Sequence, residues 1–141
     1  MSARSKARKR ALDVLYSADV RGQSLDAALA DAAARAASEP ERAASWQYAR
    51  DIVDGVIANF EEIDALIESH ANGWSLHRMP AVDRAILRLA MWEMLYNPDV
   101  DRAVAISEAI QLASELSTDD SSRFINGVLG SVTSDEAPSA D

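Results

Sequence analysis

The segment Ala81–Tyr96 reads AVDRAILRLAMWEMLY and is apolar around most of a helical circumference. A helix of that kind has almost no solvent face, so the rest of the chain must supply other helices to surround it. Pro80 suits its entry and Asn97-Pro98 its termination, which predicts a central, deeply buried helix over 81–96. No stretch alternates apolar and polar residues as a half-buried strand would. Glycine and proline are scarce, at 5 and 4 residues. The fold class predicted is all-α, a compact bundle of about seven helices.

The other six helices follow from spacing and punctuation. A first helix over Ser5–Val20 carries Ala7, Ala11, Val14, Leu15 and Ala18 as its inner stripe, and Gly22 ends it. Ser24 caps a second over Leu25–Ala37 with Leu25, Ala28, Leu29 and Ala32 inward. Ser38–Glu41 forms a loop in which Pro40 opens the next element. A third helix aligns Trp46, Ala49, Ile52, Val53, Val56 and Phe60. After a break near Asn59, a fourth presents Phe60, Ile63, Leu66 and Ile67. Asn72-Gly73 marks a turn. Asp101 caps a sixth helix with Ala103, Ile106, Ile110 and Ala113 inward. Asp119 or Asp120 starts a seventh carrying Phe124, Val128, Leu129 and Val132. At 141 residues the chain is one domain's length, which places a single domain over 1–132 and a disordered acidic tail over 133–141.

Composition excludes much chemistry. With no cysteine there is no disulfide, thiol nucleophile or zinc–thiolate site, and a reducing, cytoplasmic setting fits. His70 and His77 have no carboxylate pair to complete a metal set, and surface or interhelix hydrogen bonding is their expected role. Phosphate-cradling glycine loops, the Gly-x-Ser-x-Gly elbow and His-Glu-x-x-His are all missing. The sequence therefore points away from an enzyme and calls for no cofactor and no metal. The longest apolar run is broken by Arg88 and Glu93, so no membrane span is expected. The amino terminus lacks the apolar stretch of a secretory signal.

Charge is the informative feature. The net charge is −9, yet residues 1–10 hold Arg4, Lys6, Arg8, Lys9 and Arg10 and no acid. The remainder has nine basic against 23 acidic residues, a formal −14. A basic arm on an anionic body is the pattern of a segment that meets a polyanion. Five cations at a helix amino terminus also oppose the macrodipole, so the first turn is expected to fray until an anion arrives. The plainer reading is a solvated basic segment. Tyr16 lies one turn beyond the inner stripe, as a boundary tyrosine or a partner contact. Arg123 and Phe124 adjoin at a helix start, where an aromatic beside a guanidinium can stack an unpaired base or simply anchor the seventh helix. Trp46, Phe60, Trp74, Trp92 and Tyr96 are read as core.

Taken together, Arg8–Tyr16 (RKRALDVLY), Tyr48–Asn59 (YARDIVDGVIAN), Ile63–Ile67, Trp74–Asn97 and Val104–Val132 resemble the NusB family of transcription antitermination factors. The pairing of DRAILRLAMWEML with FINGVLG is the specific part. The resemblance implies two packed helical subbundles and binding of boxA, a single-stranded element of nascent ribosomal RNA leaders. It implies a partner, NusE, which is also a small-subunit ribosomal protein, and indirect association with other Nus factors and RNA polymerase. The absence of an added catalytic region separates the chain from ribosomal RNA methyltransferases that carry a NusB-like domain.

Carried onto this sequence, the family's arginine-rich first helix falls on Arg4, Lys6, Arg8, Lys9 and Arg10. Its later RNA-proximal loop falls on Asp120, Arg123 and Phe124, and its NusE-facing surface on Tyr16 and Asp83. Asp13 stands where many members have glutamine, and Ser5 interrupts a run that is elsewhere denser in arginine. Five cations engaging a single strand would give log K a slope of about −3.5 against log salt. The rival reading is a helical protein–protein adaptor, or a homodimer burying part of the first helix, whose basic arm docks on an acidic protein surface.

Overall fold

The computed structural model describes residues 2–135. The described residues form seven α-helices: α1 (Ala3–Arg21), α2 (Leu25–Ala37), α3 (Ala43–Ala58), α4 (Phe60–Ser69), α5 (Ala81–Tyr96), α6 (Arg102–Leu116) and α7 (Asp119–Asp135). Short 3-10 turns precede α3 at Pro40–Arg42 and α5 at Leu76–Arg78. The described residues contain no strand, as the all-α expectation requires. Among the described residues no helix is long and apolar enough to cross a membrane. Two compact units result, Met1–Phe60 and Glu61–Asp141.

In the first unit α1 packs on α3 and α2, and α2 on α3. Ala7, Ala11, Leu15 and Ala18 of α1 and Ala49, Ile52, Val53 and Val56 of α3 are nearly or wholly excluded from solvent. The small alanines permit close helix approach, and the branched residues fill the space between. α1 begins two residues earlier than its apolar spacing predicts, because Ser2 Oγ accepts from Ser5 N–H at 3.0 Å and caps the helix. That cap supplies an acceptor where the row of cations supplies none. At the other end Gly22 adopts φ 65°, and Gln23 N–H closes onto the Ala18 carbonyl at 2.9 Å. Ser24 caps α2 through Ala27 N–H at 3.1 Å, as its sequence predicts.

In the second unit α5 packs against α6 and α7, and α6 against α7. Nine of the sixteen residues of α5 are buried, including Asp83 and Glu93. Arg88 ties α5 to α4 through a two-pronged pair with Asp64, at 2.9 and 3.0 Å. His70 Nδ1 meets Ser131 Oγ of α7 at 2.8 Å, the interhelix role expected of a histidine here. Asn72 and Gly73 take positive φ of 51° and 87° in the predicted turn.

Three expectations about packing need correction. In α6 the buried positions are Ala105, Ala109, Leu112 and Ala113. The predicted Ala103 is exposed, and Ile106 and Ile110 are only half-buried. α6 packs on both α5 and α7, and its small residues turn inward, where close approach needs them. Trp74 is 55% exposed and is not core; Trp46, Phe60, Trp92 and Tyr96 are half-buried. Finally, α7 continues through Asp135, into the segment expected to be a tail from 133; residues 136–141 of that tail lie outside the described residues.

Candidate nucleic-acid interface

The amino-terminal cations sit on α1 but do not share one environment. Helical spacing puts Arg8 on the same face as Ala11, Leu12 and Leu15, and it is only 3% exposed. The expectation that Arg8 contacts a nucleic acid is therefore corrected: the side chain is committed to the interior of the fold. Arg4 is exposed, and its guanidinium stands 5.1 Å from the centre of the Tyr48 ring, a cation–π distance that joins α1 to α3. Lys6 is exposed, and Lys9 and Arg10 are half-buried.

Lys6, Lys9 and Arg10 border an open groove of about 370 Å³ within the first unit. Asp13 and Val14 continue its α1 wall. Ala32, Arg35 and Ala36 of α2, Glu39 and Trp46 of α3 complete it. Four cations and two carboxylates thus face one space, in a chain whose net charge is −9. The polarity of the groove opposes that of the whole protein. Charge counting along the first ten residues missed Arg35 and Trp46. The sequence signal for Arg35 was its position three residues beyond Ala32, at the edge of the inward stripe of α2. Tyr16, 40% exposed, and Val20, 58% exposed, lie one turn apart on α1 and form a small apolar surface.

The second unit has a different cavity, about 300 Å³, bordered by Trp74, Arg78, Met79, Pro80, Asp83, Thr118, Asp120, Ser121 and Phe124. Asp83 is 3% exposed. Its two carboxylate oxygens accept from Ser117 Oγ at 2.8 Å and Ser121 Oγ at 2.7 Å. Thr118 Oγ1 accepts from Ser121 N–H at 3.1 Å and caps α7. The expectation that Asp83 faces a protein partner is thus corrected, since its two oxygens are engaged in fastening α5 to the end of α6 and the start of α7. Arg123 pairs with Asp120 across one turn at 2.6 Å, with both side chains largely exposed. Phe124 is half-buried and borders the cavity together with the exposed Trp74. Trp74 follows the Asn72-Gly73 turn and belongs to no helical stripe, which is why spacing could not place it. Among the described residues no group of three His, Asp or Glu is arranged to hold a metal ion.

The sequence matches the NusB family model over residues 5–134. It is 65% identical over 132 residues to the transcription antitermination protein NusB of Leifsonia xyli subsp. xyli, covering 94% of this chain and 92% of that one. Against the protein of the same name from Clavibacter michiganensis subsp. michiganensis the identity is 60% over 137 residues, 97% of this chain and all of the relative. The fold superimposes with a TM-score of 0.81 on a chain from a crystal structure of antitermination factors NusB and NusE in complex with double-stranded RNA, at 27% identity over 96% of this chain and 98% of that one. Family model, near relatives and fold agree along almost the whole sequence, and the chain belongs to the NusB family.

Proposed function

We propose that this protein is a transcription antitermination factor that binds RNA and assembles with NusE, and that its RNA target is the boxA element of nascent ribosomal RNA leaders. The observation that carries the reading is the cationic groove along α1 in an otherwise anionic NusB-family chain. Lys6, Lys9 and Arg10 there, with Arg4 at the helix start, neutralise backbone phosphates, which positions a strand without reading its sequence. Arg123 and Phe124 of the second unit contribute a guanidinium and a ring for base contacts, with Asp120 holding Arg123 in place. The anionic remainder repels RNA elsewhere and attracts a basic ribosomal protein. Tyr16 and Val20 are the exposed apolar pair on which that partner docks. The activity is regulatory and involves no catalytic step.

Burial of Arg8 lowers the expected electrostatic contribution. Four cations on a single strand give log K a slope of about −2.8 against log salt. Fluorescence anisotropy with a boxA RNA and a scrambled RNA, at two salt concentrations, with and without NusE, tests the reading. Preferential binding of boxA that persists at moderate salt and tightens with NusE is the expected result. Equal, fully salt-labile binding of both RNAs, unaffected by NusE, would refute it.

A further inference from the structure

We infer that the groove of the first unit is a nucleotide subsite, in which Arg35 of α2 and Trp46 of α3 receive one unpaired base and its phosphate. The inference rests on the RNA-binding reading above and deepens it. It extends the interface beyond the α1 cations and gives it a means of distinguishing an unpaired strand from a duplex.

The lining of the groove specifies the occupant. Its volume, about 370 Å³, lies in the range of sites that enclose small organic groups. Lys6, Lys9 and Arg10 approach from α1 and Arg35 from α2, so an anion between the two helices meets positive charge on both sides. Ala32 and Ala36 keep the α2 wall low. A bare phosphate would satisfy the cations but would meet Asp13 and Glu39 unfavourably. A base offers those carboxylates something that phosphate lacks, because exocyclic amino groups donate to acceptor-only side chains. Trp46, half-buried at the same groove, supplies an aromatic surface on which any base can stack. Acidic side chains supply anions alone, with no ring to stack on Trp46. A base inside a duplex already has both faces stacked, so the subsite accepts only a strand with a free base.

The chain has three tryptophans, so Trp74→Phe with Trp92→Phe leaves Trp46 as the only one reporting in fluorescence. That protein is titrated with a single-stranded oligoribonucleotide, an abasic oligoribonucleotide of the same length and a duplex, with anisotropy recording binding in parallel. The single strand should quench Trp46, while the abasic and duplex molecules bind without comparable quenching. In the otherwise unaltered chain, Trp46→Ala should weaken single-strand binding about fivefold to a hundredfold and duplex binding less than twofold. Arg35→Gln should reduce the salt slope by about 0.7, with circular dichroism unchanged. Equal quenching by the abasic strand would overturn the base contact. Wild-type affinity and salt slope in Arg35→Gln, in a protein that still binds RNA, would overturn the subsite and leave the RNA-binding reading intact. A wild-type protein that binds no RNA would overturn both.

Discussion

The two cavities are built on opposite principles. In the first unit the groove is bordered by long cationic side chains on a helix face, with alanines opposite and a single indole. On the reading proposed above, its cations attract a polyanion from a distance, so its affinity depends on salt. In the second unit the cavity borders a hydrogen-bonded clamp, in which Asp83 takes the hydroxyls of Ser117 at the end of α6 and Ser121 of α7, and Thr118 caps α7. Those groups are buried or partly buried and at hydrogen-bond distance, so they set the position of α7 rather than attract a ligand. Charge therefore performs two tasks in one small protein. On the reading proposed above, exposed charge collects a partner, and buried, satisfied charge fixes a helix.

The sharpest way to break that division is to remove the exposed cations. With Lys6, Lys9 and Arg10 all changed to alanine, the salt slope should flatten by about 2. Taken from a 1 M reference, that is about a hundredfold loss of RNA affinity at 0.1 M salt, roughly 2.7 kcal/mol. Urea denaturation should find the stability little altered. A large loss of stability would mean that these cations hold the fold rather than collect a ligand.

Asp83→Ala attacks the other side of the comparison. It leaves the Ser117 and Ser121 hydroxyls without their acceptor and should cost about 2 kcal/mol of stability. The salt slope of RNA binding, set by the first unit, should stay unchanged. An unchanged urea midpoint would show that the carboxylate does not fasten α7, and a changed slope would show that its charge is felt by the ligand.

The same distinction explains what could be read from the sequence. The bounds of α2 and α5 agree with their predicted residues, because a capping serine, a proline and a turn asparagine punctuate them. α6 was misphased because alanines and isoleucines occupy two neighbouring faces, and hydrophobicity alone does not choose between them. What decided was size, since α6 meets α5 and α7 at close range. Arg8 was grouped with its neighbours by charge, whereas its phase matches Leu12 and Leu15, and phase prevailed. Asp83 was placed by family resemblance, which carries a role but not the direction of a side chain. Position 83 is three before Ile86 and four before Leu87, both fully buried, so the helical period had already turned it inward. Arg35 and Trp46 reach the groove from separate helices, a convergence that no local pattern encodes.

The smallest effect concerns a polar tie at the surface of the second unit, and it asks whether every such tie behaves like the Asp83 clamp. Tyr96 donates its phenolic hydrogen to Glu62 Oε2 at 2.8 Å, linking the end of α5 to α4. Partial burial, then the hydrogen bond and the negative charge of Glu62, raise the Tyr96 pKa above its ordinary value of 10.0. Because the folded pKa exceeds the unfolded one, the tie stabilises the protein fully below about pH 10 and is lost as pH rises through the folded value. Tyr96→Phe should therefore cost only about 0.5 kcal/mol at neutral pH, the low end for a hydrogen bond at an exposed site. The gap between variant and wild type should close as the pH is taken above 10. Denaturation midpoints of both proteins at pH 8 and pH 11 measure it directly. A gap that stays constant across that interval would mean that ring packing rather than the phenolic hydrogen joins α5 to α4 at this point. Tyr96 would then belong with the apolar core, and Asp83 and Arg88 would be the polar fastenings on which α5 depends.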